Sequence, residues 1–228
     1  MTEPRRAVFL DKDGTLVEDV PYSVDPTQLR FTPNAVEALR LLAEHGYALV
    51  VASNQSGLAR GLFDRAALAR LQAALEAMLA RDGIHLAGFY VCPHAPSGDA
   101  RRPSCLCRKP APGMLRQAAR ALHIDLARSW MVGDILNDVE AGRRAGCRTV
   151  LLDVGHETEW QRSPLRTPHH TASDLLDAAR TIVAQGDPVA GGPAPRRPRT
   201  ATPPAGGLPR IGAQPAALHG TLKRPAPP

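Results

Sequence analysis

The sequence has no long apolar run. After Arg5 and Arg6, the apolar stretch is four residues long before it meets Asp11, which is too short for the core of a signal peptide. No window of the chain approaches the length of a membrane-spanning helix. We therefore predict a cytoplasmic protein that makes no membrane contact.

Cysteine is also scarce, since the chain holds four. In a reducing compartment, cysteines are more often thiols or metal ligands than disulfides. Three of the four lie with a histidine inside sixteen residues, as Cys92, His94, Cys105 and Cys107. Three thiolates and one imidazole can close a tetrahedral Zn²⁺ site, whereas the Pro, Gly, Ser and Arg residues between them cannot form a core. The spacing predicts a structural zinc loop at about 92–107, with a disulfide or unconnected thiols as the alternatives.

The remaining body of the chain carries little net charge. Of the formal net charge of +6, residues 186–228 contribute +5, from six basic residues against Asp187. The same 43 residues hold 11 of the 22 prolines and 7 of the 19 glycines, a composition typical of disorder. We predict a folded domain over 1–185 and a disordered basic tail over 186–228. Because the basicity lies outside the folded part, a nucleic-acid partner is not favoured.

Five short apolar runs recur in the predicted domain: AVFL, YALVVA, GFYV, WMV and TVLL. None alternates with polar residues, as expected of strands buried on both faces of a parallel sheet. Helical patterns separate them, at about 34–45, 64–83, 112–123, 137–145 and 173–184. The second pattern has an apolar stripe and a candidate N-cap at Asp64. Alternating strands and helices predict an α/β fold with a Rossmann-like, doubly wound parallel sheet.

Polar side chains stand at the ends of three of these strands. Asp11 follows the first strand, Ser53 closes the second, and Asp134 follows the fourth. In open parallel sheets, ligands bind beyond the carboxyl ends of the strands. We therefore expect these three side chains to lie at one edge of the sheet.

Asp11 and Asp13 flank Lys12 at the end of the first strand. In extended backbone the two carboxylates face one side and Lys12 faces the other. Two carboxylates in one space repel each other unless a cation or a shared proton lies between them. With Asp134 they form an oxygen-rich set of the kind that binds Mg²⁺. An ordinary Asp-Gly turn is the alternative for Asp13 and Gly14 taken alone.

Four motifs, in order, resemble those of the haloacid dehalogenase (HAD) superfamily of phosphatases. They are DKDGT at Asp11 to Thr15, Ser53 in ASNQSG, Lys109 in CRKPAPGM and Asp134 in VGDILNDVEAG. The resemblance covers about residues 5–185. It implies a phosphomonoester hydrolase that depends on Mg²⁺.

The resemblance also implies a role for each motif residue. Asp11 attacks phosphorus as the nucleophile, and Asp13 protonates the leaving oxygen and later accepts a proton from water. Ser53 and Lys109 hold the phosphoryl oxygens.

The same resemblance assigns the Mg²⁺ ligands. They are the Asp11 carboxylate, the Asp13 main-chain carbonyl and Asp134. Asp138, one helical turn beyond Asp134, either orients these ligands or is an ordinary first-turn helix acid.

A zinc loop directly before CRKPAPGM, together with NQSGLARG, resembles one branch of the superfamily. This branch holds the D-glycero-D-manno-heptose 1,7-bisphosphate 7-phosphatases and the related histidinol-phosphatases. The resemblance implies a zinc loop in place of a large cap domain. It also implies substrate contacts from Asp19, Val20, Pro21, Tyr22, Ser53, Asn54, Gln55, Ser56, Arg108 and Lys109. Ile135 departs from the pattern, because heptose bisphosphatases often carry Lys after the fourth-motif Asp.

The leading interpretation is removal of the 7-phosphate from heptose 1,7-bisphosphate, a small phosphorylated sugar, by a monomer. A phosphatase of histidinol phosphate or of another small sugar phosphate would show the same motifs. A DNA 3′-phosphatase shares the DxDGT chemistry, but the chain has no GxxxxGK[ST] kinase loop and its body lacks an evident basic face. A zinc-stabilised scaffold whose tail recruits partners would have no use for the complete catalytic set.

Overall fold

The computed structural model describes residues 3–96 and 105–186 of the chain. The predicted tail after Gly186 and the middle of the predicted zinc loop, 97–104, lie outside these ranges. The domain boundary therefore stays a prediction. Within the described part, no helix has both the length and the apolar character needed to cross a membrane.

Six parallel strands form one sheet in the order β3-β2-β1-β4-β5-β6. The strands are β1 (Ala7–Leu10), β2 (Ala48–Asn54), β3 (Gly88–Cys92), β4 (Trp130–Gly133), β5 (Arg148–Leu152) and β6 (His170–Ala172). The helices are α1 (Ala35–Glu44), α2 (Arg65–Arg81), α3 (Gly113–Leu122), α4 (Leu136–Ala145) and α5 (Leu175–Gln185). The predicted doubly wound α/β fold is confirmed, and no cap domain interrupts residues 3–96 or 105–186.

Helices cover both faces of the sheet. Phe9 of β1 packs on the face that also buries Met114 and Leu115 of α3. Its neighbours Val8 and Leu10 pack on the opposite face, with α1, α2 and α5. Because alternate residues of one strand enter two apolar layers, the central strands show no polar alternation.

Helix α2 follows its sequence pattern closely. The Asp64 carboxylate accepts a hydrogen bond from the Ala67 N–H at 2.7 Å, so the predicted N-cap is confirmed. Leu68, Leu71, Leu75 and Leu79 of the predicted stripe are buried.

The sequence analysis did not predict β6. This strand has three residues, His170 to Ala172, and lies at the edge of the sheet beside β5. Only Ala172 is buried among them. A three-residue edge strand with one buried side chain has no periodicity that a sequence pattern could reveal.

Replacement of the cap is expected to weaken α2. Asp64→Ala removes the acceptor for the Ala67 N–H, and we expect a loss of about 1 kcal/mol in the free energy of unfolding, measured by urea denaturation. Asp82→Ala, at the other end of the helix, removes an exposed carboxylate that contacts Arg40 at 3.6 Å and serves as the control, with an expected change below about 0.5 kcal/mol. Equal losses in the two variants would contradict the capping role.

Candidate active site

The candidate site lies where the strand order reverses, at the carboxyl ends of β2, β1 and β4. The Asp11 N–H donates to the Val132 carbonyl oxygen at 3.0 Å, which places Asp11 beside the end of β4. Ser53 lies near the end of β2, and Asp134 directly follows β4. All three residues are buried. Reversal points of this kind form the ligand crevices of doubly wound sheets.

Lys109 joins two carboxylates at this edge. Its Nζ lies 2.6 Å from Asp11 Oδ1 and 2.7 Å from Asp138 Oδ1, and all three side chains are largely removed from water. Burial alone would lower the pKa of Lys109, but the charges of Asp11 and Asp138 outweigh it and raise this pKa. The lysine is therefore a permanent buried cation.

Asp13 and Ser53 share one hydrogen-bond donor. Nε2 of the buried Gln55 lies 2.9 Å from Asp13 Oδ2 and 2.9 Å from Ser53 Oγ. Burial raises the pKa of Asp13, and the nearby Asp11 charge raises it further, although Lys12 opposes both effects. A raised pKa favours a carboxyl group that can give up a proton at neutral pH.

The side chain of Lys12 differs from the prediction. The sequence analysis placed it opposite the two carboxylates, yet its ammonium contacts Asp13 Oδ1. The reason is that β1 ends at Leu10, and the N–H groups of Leu16 and Val17 both donate to the Lys12 carbonyl oxygen at 3.0 Å. Residues 12–17 thus form a tight turn, in which strand alternation does not apply.

Asp134 is held by residues from two loops. Thr15 Oγ1 donates to Asp134 Oδ1 at 3.3 Å, and His156 Nδ1 lies 2.7 Å from Asp134 Oδ2. Gly14 has a φ of 78°, and a Cβ there would lie 2.2 Å from Asp134 Oδ2, so only glycine fits this turn. The sequence analysis missed His156, because a histidine in the loop after β5 belongs to none of the motifs.

The carboxylates of Asp11, Asp134 and Asp138 fit a divalent cation. One oxygen from each lies within 4.8 Å of the others. Burial raises the pKa of Asp134, and the Asp11 charge raises it further. Asp138 is fully buried, and its Oδ2 accepts from the Ile135 N–H at 3.3 Å, as a first-turn helix acid does, while its Oδ1 contacts Lys109. Burial raises its pKa to about 7, against the opposing Lys109 charge.

A cavity of about 260 Å³ opens beside Asp13. Its lining includes Asp19, Val20, Pro21, Tyr22, Asn54, Gln55 and Ser56. These seven residues belong to the two segments for which the sequence analysis expects substrate contacts. Ser53, Arg108 and Lys109 are not among the lining residues. Asn54 also bonds to the main chain of Lys109, with Nδ2 3.2 Å from the carbonyl oxygen and Oδ1 3.0 Å from the nitrogen.

The predicted zinc ligands lie together. Ligand atoms of Cys92, His94, Cys105 and Cys107 fall within 4.8 Å of one another. The sulfur atoms are 2.8 to 3.5 Å apart, and His94 Nδ1 is 3.3 and 3.6 Å from two of them. Tetrahedral Zn²⁺ with Zn–S bonds of about 2.3 Å needs sulfur separations of about 3.8 Å, so the donor set fits this ion after a small expansion.

The cysteine cluster is continuous with the loop that carries Lys109. Burial opposes ionisation of Cys105, but hydrogen bonds from the Cys107 thiol and from the main-chain N–H groups of Arg108 and Cys107 lower its pKa to about 7. Arg108 Nη1 donates to the His94 carbonyl oxygen at 3.1 Å. The cluster therefore sets the position of the chain immediately before Lys109.

Three comparisons relate this chain to known proteins. A HAD-hydrolase-like family model matches residues 106–178. The D-glycero-beta-D-manno-heptose-1,7-bisphosphate 7-phosphatase of Photorhabdus laumondii is 40% identical over 179 residues, covering 77% of this chain and 92% of that protein. The Escherichia coli K12 protein of the same name is 44% identical over 148 residues, covering 64% and 78%. The structure of a D,D-heptose 1,7-bisphosphate phosphatase from B. bronchiseptica, complexed with magnesium and phosphate, has a TM-score of 0.66 at 33% identity and covers 79% of this chain and 99% of that chain.

Removal of the buried cation is expected to destabilise the fold. Lys109→Met leaves Asp11 and Asp138 without their counterion, and we expect a loss of about 3–5 kcal/mol near pH 8, measured by urea denaturation. The Lys109 charge lowers the pKa of Asp138, so without it the folded-state pKa of Asp138 rises, and the loss relative to wild type shrinks as the pH falls toward about 5.

Lys12→Met is the matched control for this prediction. Lys12 is also buried, but the side chain of its partner Asp13 is 28% exposed, so water can solvate the carboxylate that remains. We expect a smaller loss. A loss for Lys109→Met that is equal to that of Lys12→Met and independent of pH would contradict the analysis.

Proposed function

Because this chain belongs to the heptose 1,7-bisphosphate 7-phosphatase family of HAD-like hydrolases, we propose that it removes the 7-phosphate of D-glycero-D-manno-heptose 1,7-bisphosphate. The observation that carries the proposal is the cavity beside Asp13. Segments 19–22 and 54–56 line it from two sides, so a bound sugar can meet both segments while its phosphate faces the carboxylates.

The first half of the proposed reaction transfers the phosphoryl group to the protein. An Asp11 carboxylate oxygen forms a bond to phosphorus as the bond from phosphorus to the sugar O7 breaks. Asp13 donates its proton to O7, and the dephosphorylated sugar leaves as an alcohol. The raised pKa of Asp13 suits this role, since the group must be protonated when the substrate is bound.

The second half of the proposed reaction returns Asp11 and Asp13 to their starting states. A water oxygen forms a bond to phosphorus as the bond to Asp11 breaks, and Asp13 accepts the water proton. Ser53 and Lys109 would hold phosphoryl oxygens in both halves. Gln55, bonded to both Asp13 and Ser53, keeps the acid and the hydroxyl on one side of the site.

The carboxylates at this edge would hold the Mg²⁺ that the family uses. Asp11 and Asp134, with the Asp13 main-chain carbonyl, would be the ligands, and Asp138 would stand beside them as a partner of Lys109. Bound Mg²⁺ supplies positive charge that offsets the charge of the phosphoryl oxygens and of the carboxylates. Thr15 and His156 orient Asp134 toward this position.

The second phosphate of the substrate needs its own cation. Ile135, where heptose bisphosphatases often carry Lys, offers none. Arg108 is the candidate, because its guanidinium is fixed at the His94 carbonyl and suits bidentate phosphate recognition.

The proposal predicts a preference among phosphomonoesters. The full-length protein with Mg²⁺ should release phosphate from heptose 1,7-bisphosphate with a higher kcat/KM than from histidinol phosphate or a 3′-phosphorylated oligonucleotide, measured across both heptose anomers. Asp11→Asn should lower turnover by several orders of magnitude on every substrate. Clear turnover of another substrate with little turnover of either heptose anomer would overturn the proposed substrate. Full turnover by Asp11→Asn would overturn the proposed mechanism.

The cysteine cluster would bind one structural Zn²⁺. We expect about one zinc per chain by elemental analysis, and loss of zinc with a lower Tm in Cys107→Ser, because three ligands hold the ion less tightly than four. Cys147→Ala removes a buried thiol outside the cluster and should retain zinc. A structural role would be contradicted if wild-type protein purified without zinc had the same Tm as wild-type protein that holds zinc.

A further inference from the structure

Asn54 lies where three parts of the site meet. It is the last residue of β2, follows Ser53 and pairs in register with Cys92 of β3. Its side chain reaches Lys109, 55 residues further along the chain. The family resemblance assigns Asn54 to substrate contact, and it does line the cavity.

The side-chain amide of Asn54 bonds in both directions to one residue. Oδ1 accepts from the Lys109 N–H at 3.0 Å, and Nδ2 donates to the Lys109 carbonyl oxygen at 3.2 Å. This pair of bonds fixes the amide plane and uses both the donor and the acceptor group of the Lys109 main chain.

The main chain of Lys109 makes few hydrogen bonds of its own, although Cys105 accepts one from the N–H of the preceding Arg108. The residue lies between the cysteine cluster and α3, outside any helix or strand. Within residues 3–96 and 105–186, its main-chain hydrogen bonds go to Asn54 alone. Pro110 follows and has no N–H to donate.

Placement of the Lys109 main chain decides where its ammonium lies. A lysine side chain has four rotatable bonds, so a fixed Cα is needed to keep Nζ within 2.6 Å of Asp11 and 2.7 Å of Asp138. A displacement of about 1 Å at a reacting centre can cost about a hundredfold in rate.

We propose that Asn54 is a positioning residue, which holds the main chain of Lys109 so that its ammonium meets Asp11, and that it does not recognise the sugar. The inference rests on the proposed phosphatase function for its kinetic readout, but its structural readout needs no substrate. A residue that acts through Lys109 changes kcat, whereas a residue that contacts the sugar changes KM.

The chain offers a direct structural readout, because it holds three lysines, Lys12, Lys109 and Lys223. Protein labelled with ¹⁵N-lysine gives three main-chain amide signals. In Asn54→Ala, the Lys109 amide proton should move upfield, since it loses its acceptor, while the Lys12 signal stays in place. Acetylation of Lys109, followed by mass spectrometry, should rise several-fold relative to Lys12, which is equally buried but does not contact Asn54.

The kinetic arm uses p-nitrophenyl phosphate, which lacks the sugar. Asn54→Ala should lower kcat about a hundredfold with KM within about twofold of wild type. Asn34→Gly is the control, because it removes the hydrogen bond to Asp174, which involves neither Asn54 nor Lys109. The φ of 61° at this position is one that glycine adopts without strain, so the variant should change neither kcat nor the lysine signals.

Asn54→Asp keeps the acceptor for the Lys109 N–H and loses the donor, so it should retain the wild-type amide shift and show an intermediate kcat. If Asn54→Ala does not fold, Asn54→Asp tests the inference in its place. Unchanged Lys109 signals with a raised KM for the heptose would overturn the inference even when heptose turnover is confirmed. Failure of the heptose as substrate would leave the lysine readout unaffected.

Discussion

The interaction on which this site depends is the buried ion pair network around Lys109. Three carboxylates, from Asp11, Asp134 and Asp138, lie within 4.8 Å of one another at the end of the sheet. Such a group of like charges opposes folding unless a cation compensates it. Lys109 is the cation that the chain itself supplies, and the proposed Mg²⁺ would be a second.

Two glycines beside this network leave no space for a larger side chain. Gly14 turns at a positive φ directly against Asp134, and a Cβ at Gly133 would lie 2.3 Å from atoms of Asp138. The Asn54 side chain bonds the segment before α3 to the end of β2. The cysteine cluster holds the residues directly before Lys109. The cysteine cluster thus helps to position Lys109, so the proposed zinc site would act on the candidate active site through this lysine.

The central strands and the motif residues could be predicted from the sequence because each carries a local signal. Strands buried on both faces read as unbroken apolar runs, and Asp11 and Asp134 follow such runs directly. Features that depend on contacts between distant segments gave no signal. The Asn54 contact joins residues 55 positions apart, and His156 reaches Asp134 from a loop with no motif. The Lys12 orientation was predicted wrongly because only Asp11 separates the strand from the turn.

Chemistry and recognition are carried by different parts of this molecule. The proposed nucleophile Asp11 directly follows β1, the proposed acid Asp13 lies in the turn after it, and Lys109 lies on the short segment bonded to Asn54. The residues that line the cavity lie on the loop after β1 and at or just after the end of β2, and segment 19–22 is solvent-exposed. Ile135 in place of Lys would therefore affect substrate recognition. It removes a potential phosphate contact, and it disturbs none of the hydrogen bonds that hold the carboxylates. Substrate choice in such an architecture can shift by substitution in the loops while the phosphoryl-transfer centre stays intact.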